Sequence, residues 1–190
     1  GWIRRSSKFI SIAVHLSESA GRAFVALGTN VPFEGLAGGA LLARAVRALE
    51  AEELCVTAKS GIWISEAWPP GSGQADYANA VVEVDAKGLD PQALYTVLRR
   101  VEQAFGRERR ERWGARTLDL DIAAMDGFAG AFGALHLPHA RMADRAFVLA
   151  PLAEIAPAGR HPESGLTAAD LLKMLPPGQR CVRSGPFPAG

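Results

Sequence analysis

The chain has 190 residues, a net charge of +1 and 48% hydrophobic residues. That length can bury one substantial core, and the near-zero charge excludes a global cationic field that would gather nucleic acid. No apolar run is long enough to span a bilayer, and two widely spaced cysteines, Cys55 and Cys181, exclude a disulfide framework and point to a reducing compartment.

In chain order, residues 1–21 carry Arg4, Arg5 and Lys8 ahead of an apolar run diluted by Ser11 and His15. They read as a poorly ordered N-terminal extension rather than a signal segment. The domain is expected over 22–176, with an irregular Pro/Gly-rich tail over 177–190. Residues 23–27 (AFVAL) predict a buried strand, ended by a turn at Gly28-Thr29-Asn30. Residues 40–53 place Leu41, Leu42, Ala45, Val46 and Leu49 at helical spacing. Residues 54–68 are rich in strand formers, 69–73 (PPGSG) form a loop, and 77–85 (YANAVVEVD) alternate as the next strand of a hairpin. Asp90 and Pro91 open a helix that Gly106 ends. Residues 117–122 (TLDLDI) alternate strictly, the strand signal. Asp126-Gly127 is a turn, 128–137 contain a short strand, and 141–149 form a helix that gives way to a Pro-punctuated stretch. Residues 167–175 form a last short helix. The order β-α-β-β-α-β predicts an α+β, ferredoxin-like fold: one antiparallel sheet, helices packed on one face, and extra C-terminal helices.

The chemistry concentrates in 106–122 (GRERRERWGARTLDLDI). Its first part sets Arg107, Arg109, Arg110, Arg112 and Arg116 against Glu108 and Glu111. Its second part is the alternating strand, in which Asp119 and Asp121 share one face while Leu118, Leu120 and Ile122 pack inward. Neighbouring carboxylates repel, and Asp is a poor strand residue. A hard divalent cation compensates them, because Mg²⁺ takes one or two carboxylates plus substrate phosphates. Guanidinium groups alongside would bind phosphate oxygens bidentately. A solvated face pairing with local arginines fits the same charge pattern.

Other motifs are weaker. No Walker-type loop is present. His136 and His139 have HxxH spacing, but Pro138 between them argues against a helical metal pair. Tyr77 and Asn79 share a strand face and suit a flat heterocycle, or are an ordinary hairpin surface pair. Arg145 and Phe147 carry the same two readings. Glu102, on the helix before the arginine loop, is an exposed charge or the anchor of an arginine.

Together these residues resemble the 6-hydroxymethyl-7,8-dihydropterin pyrophosphokinase family. The segments that carry the resemblance are 24–30 (FVALGTN), 76–82 (DYANAVV), 106–122, 137–147 (LPHARMADRAF) and 148–157 (VLAPLAEIAP), with RWGARTLDLDI the most specific. The resemblance implies a ferredoxin-like fold and transfer of pyrophosphate from ATP to the pterin hydroxymethyl oxygen, leaving AMP. It implies that Asp119 and Asp121 hold two Mg²⁺ ions. It assigns Arg107 and Arg116 to charge stabilisation during transfer, and Trp113 to loop closure. It places Tyr77, Asn79 and Phe147 on the pterin, and Glu102, His139 and Arg145 on the ATP side. The expected partners are these small molecules, with no nucleic acid and no membrane, for a monomer in the cytoplasm. Arg109 and Arg110 have no assigned role. Where the family usually has Tyr-Arg-Thr-Pro, this chain reads Ile64-Ser65-Glu66-Ala67.

Two other functions fit parts of the pattern. A single-strand RNA-binding module would use a ferredoxin-like sheet and an arginine loop, but it needs aromatics where Asp119 and Asp121 stand. A catalytically silent partner-binding relative would not need the acidic pair.

Overall fold

The computed structural model describes residues 21–67, 71–106 and 117–189. The N-terminal extension and most of the arginine loop therefore lie outside the described residues. The sheet is organised on β1 (Arg22–Thr29). On one side it pairs antiparallel with β4 (Tyr77–Asp85), and on the other with β5 (Asp119–Met125). Beyond β4 lie β2 (Cys55–Lys59) and β3 (Ile62–Ser65), and β8 (Cys181–Gly185) adds outside β3. The sheet has six strands, in the order β5-β1-β4-β3-β8 with β2 also beside β4. A separate hairpin joins β6 (Gly130–Phe132) to β7 (Leu135–Leu137).

Period-2 patterning divides each central strand between two cores. Val25, Leu27, Val82, Leu120 and Ile122 face helices α1 (Gly38–Ala51) and α2 (Pro91–Ala104), meeting Leu41, Leu49, Leu94 and Leu98. Their neighbours Phe24, Val81 and Ala123 point the other way. There they meet Val148, Leu149 and Leu152 of α3 (Ala146–Ile155) and Ala168 of α4 (Ala168–Met174). Helices thus cover both faces of the sheet, which corrects the expectation that they pack on one. Val81 and Ala123 are apolar enough to require cover on the second face too.

Four further boundaries differ from the sequence expectation. The β-rich stretch is two strands, because Ser60 interrupts it: its hydroxyl accepts from Val81 N at 3.0 Å and its own amide donates to Val81 O at 2.9 Å. Gly28 and Thr29 continue β1 instead of turning. The 141–149 helix is a 3₁₀ turn over Met142–Asp144, a break at Arg145, and then α3. Helix α3 runs through Pro151 to Ile155. An interior proline costs about 3 kcal/mol, and burying Leu149 and Leu152 returns roughly 1.5–3 kcal/mol each. Finally, the tail expected to be irregular supplies β8. It is held where Glu154 of α3 accepts from Arg183 Nη2 at 3.0 Å, Trp63 Nε1 at 3.0 Å and Gly61 N at 3.1 Å. Burial pushes the Glu154 carboxyl up, but the bonds from Arg183, Trp63 and Gly61 outweigh it and hold it below the ordinary carboxylate range.

Two stability effects follow from this packing. A Cβ at Gly61 would stand 2.6 Å from Gly185 O and 2.7 Å from Arg183 Nη2. Gly61→Ala is therefore expected to destabilise the protein by about 1–3 kcal/mol in urea denaturation, as overpacking does. At the start of α2, Asp90 Oδ1 accepts from Ala93 N at 2.8 Å, with Pro91 at the first position. Asp90→Ala should cost about 1 kcal/mol in the same measurement, the usual loss for an N-cap.

Candidate active site

Because β5 alternates, burying Leu118, Leu120 and Ile122 turns Asp119, Asp121 and Ala123 to the opposite face. Helix α3 covers the Ala123 end of that face. Asp119 and Asp121 lie beyond it, on the wall of a cavity of about 670 Å³. Register sets the neighbours: Gly28 of β1 lies between Asp119 on one side and Asn79 on the other. A Cβ at Gly28 would meet Asn79 Oδ1 at 3.5 Å, an ordinary contact, so glycine is not forced here by a clash. Its lack of a side chain keeps the floor of the cavity open.

Asn79 is 4% exposed. Its Nδ2 donates to Ser65 Oγ at 2.9 Å, Tyr77 O at 3.2 Å and Trp63 O at 3.3 Å. Carbonyl oxygens only accept, so this set fixes which end of the amide faces them. The Asn79 carbonyl oxygen is left toward Gly28 and the cavity. Tyr77 lines the same cavity from the start of β4.

A further part of the wall comes from the segment after β7. His139 is placed by its amide, which donates to Ala123 O at 2.9 Å. The Arg141 amide donates to His139 Nδ1 at 3.2 Å, which assigns the ring proton of the neutral form to Nε2. Burial pushes the His139 pKa below its ordinary value, with Asp121 opposing and Arg145 adding to the effect. Arg145 lies over the Phe147 ring, 5.5 Å from guanidinium carbon to centroid, and both line the cavity.

Glu102 is elsewhere. It is 1% exposed and does not line the cavity. Its Oε1 accepts from Leu120 N at 2.7 Å, and its Oε2 lies 2.5 Å from Arg99 Nη1. Arg99 in turn donates to Leu120 O and lies 3.5 Å from Asp121 Oδ1. Glu102 is thus the anchor of an arginine and not an exposed charge, and the edge of β5 is docked on α2 by a charged network. Unlike His139, His136 does not line the cavity: it is exposed on β7, with Nδ1 3.2 Å from Pro138 O. Arg107, Arg116 and Trp113 lie outside the described residues.

The sequence reading missed Ser65, Arg99, Arg141, Asp144, Gln179 and Arg180. Five of these line the cavity, and Arg99 braces Asp121. Only Arg99 left a trace, three residues before Glu102 on one helix face.

The donor set suits a hard cation. Asp119 and Asp121 offer carboxylate oxygens side by side, and no group of three His, Cys, Asp or Glu side chains forms a metal cage among the described residues. Two carboxylates without a cage match Mg²⁺, which keeps waters and takes its remaining ligands from substrate phosphates.

Fold and cavity together define an α+β protein with an antiparallel sheet and a ligand-sized cavity walled by paired carboxylates. The family model of 7,8-dihydro-6-hydroxymethylpterin-pyrophosphokinase (HPPK) matches residues 24–157. The chain belongs to this family. It is 40% identical over 138 residues to the 2-amino-4-hydroxy-6-hydroxymethyldihydropteridine pyrophosphokinase of Methylorubrum extorquens, covering 72% of this chain and 83% of that one. It is 37% identical over 158 residues to the enzyme of the same name from Pseudomonas aeruginosa, covering 82% and 92%. Among solved structures, Plasmodium falciparum HPPK-DHPS with pteroate is similar at a TM-score of 0.60 and 12% identity. That match covers 82% of this chain and 44% of the other, so it speaks for the fold alone, over less than half of that protein.

Proposed function

We propose that this chain transfers pyrophosphate from ATP to 6-hydroxymethyl-7,8-dihydropterin, giving AMP and the pterin diphosphate, a step of folate biosynthesis. The observation that carries the reading is the placement of Asp119 and Asp121 on one wall of a cavity whose other walls hold Asn79 and Arg145. In this reading the pterin hydroxymethyl oxygen attacks the β-phosphorus of ATP. The bond from that phosphorus to the α-phosphate oxygen breaks, AMP leaves, and the hydroxyl proton passes to solvent. Bound Mg²⁺, expected as two ions, would neutralise phosphate charge between the carboxylates and the nucleotide.

The remaining work belongs to the side chains. Asn79 presents a fixed carbonyl acceptor, which suits the amino and ring N–H donors of a pterin. Tyr77 and Phe147 supply flat apolar surface for the ring. His139 and Arg145 take the nucleotide side, His139 as a neutral Nε2 donor. Glu102 serves the same side at one remove, by holding Arg99 and the edge of β5. Arg107 and Arg116 would stabilise charge in transfer, and Trp113 would close with their loop. The strand order supports a ferredoxin-like core in which β2 and β3 together fill one strand position. The reading is of a cytoplasmic monomer acting on small molecules.

Incubation with ATP, Mg²⁺ and the hydroxymethyldihydropterin should yield AMP in step with pterin diphosphate. Formation of ADP, or no nucleotide product, overturns the reading. Arg116→Ala is expected to lower kcat by about a hundredfold or more, as loss of a transition-state donor does, with a smaller change in ATP affinity. A variant that loses only affinity would remove Arg116 from the transfer step.

A further inference from the structure

Helix α3 begins without a cap of its own. Its N-cap residue is Arg145, whose side chain makes no capping hydrogen bond to the helix amides. Arginine has no acceptor to offer the first amides of a helix. Its positive charge also opposes the positive N-terminal end of the helix dipole. The first amide of the helix therefore needs an acceptor from elsewhere.

That acceptor comes from far along the chain. Gln179 Oε1 accepts from Ala146 N, the first amide of α3, at 2.9 Å. Its Nε2 donates to Asp144 O at 2.8 Å. One side chain therefore grips the backbone on both sides of Arg145. The chain immediately after Gln179 is tied down. Residues 181–185 form β8 along β3, and Arg180 Nη1 lies 3.3 Å from Asp76 Oδ2, next to Tyr77. Gly178, Gln179 and Arg180 all line the cavity. The family match ends at residue 157, so Gln179 falls outside the matched region while the backbone it grips lies within it.

We propose that Gln179 is a positioning residue of the active site. By clamping the backbone between Asp144 and Ala146 it fixes the direction in which Arg145, and Phe147 beneath it, are presented to the substrates. Gln179 supplies the missing cap from outside the helix, so the residue at the cap position can be a cation that faces the cavity. For its kinetic readout the inference rests on the pyrophosphokinase reading.

The test uses the full chain and Gln179→Met, which keeps the side chain's length and loses both hydrogen bonds. The first readout is amide exchange followed by NMR. Protection of the Ala146 amide should fall about tenfold, the loss expected for a net hydrogen bond of this kind, while Leu149 and Leu152 keep theirs. Unchanged protection at Ala146 overturns the clamp.

The second readout is kcat/KM for AMP formation in Gln179→Met, Arg145→Ala and the double variant. Gln179→Met alone should lose about tenfold, and in the Arg145→Ala background it should lose less than about twofold, because interacting residues are not additive. Additive losses, or wild-type kinetics in Gln179→Met, overturn the positioning role, since a purely structural contribution would be additive. If the unaltered protein makes no AMP, the proposed activity falls. The clamp is then decided by the exchange experiment alone.

Discussion

Asp119→Ala is expected to abolish pyrophosphate transfer, with a loss of at least about a hundred- to a thousandfold, the range for removing one well-aimed electrostatic group. The fold should survive the change. Asp119 faces the cavity, and the packing of β5 rests on Leu118, Leu120 and Ile122 on the other face. Removing one carboxylate leaves Asp121, itself 3.5 Å from Arg99, as the sole acidic group of the pair. A Mg²⁺ ion would then lose half of the protein ligands proposed for it. Two measurements check this: AMP formation at saturating ATP over a range of Mg²⁺, and thermal melting. Turnover near that of the unaltered protein would refute the assignment. A collapse of the melting transition would show that the residue is structural instead.

Glu102→Ala should act on the fold first and on activity as a consequence. Glu102 is 1% exposed, and its partners include the Leu120 amide and Arg99, which is 17% exposed. Removing one member of a buried charged pair typically costs about 3–5 kcal/mol, because the other charge keeps its desolvation penalty. The Leu120 amide loses its acceptor as well, which adds to the cost. Glu102→Gln keeps an acceptor for that amide and should lose less. Urea denaturation of both variants decides the matter. A change below about 1 kcal/mol in Glu102→Ala would mean that the network does not carry the edge of β5. Because Arg99 also reaches Asp121, the alanine variant should lose activity even where it remains folded.

Much of the fold was legible because period and capping are local. The alternation of 77–85 became β4 with the same bounds, and the leucine spacing of 40–53 became α1 over Gly38–Ala51. Asp90 and Pro91 opened α2 as expected, and Thr167 with Asp170 closed a capping box on α4. The errors share a cause: a distant contact overrode the local signal. Gly28 and Thr29 read as a turn, yet β4 pairs with both and β5 with Gly28, which keeps them in the sheet. Pro151 read as the end of a helix, yet the buried leucines on either side of it carry α3 onward. The tail read as irregular, yet Glu154 and β3 together make a strand of 181–185.

The candidate site divides in the same way. Strict alternation placed Asp119 and Asp121 on one face from the sequence alone, since neighbouring residues of a strand must point to opposite sides. Tyr77 and Asn79 followed by the same rule. Only the tertiary structure decided that Arg99 and Glu102 brace the edge of β5, that Ser65 orients the Asn79 amide, and that Gln179 reaches back to the start of α3. A repeat along one strand is written in adjacent letters. A hydrogen bond between residues 33 positions apart is created by the folding of everything between them, and no local pattern records it.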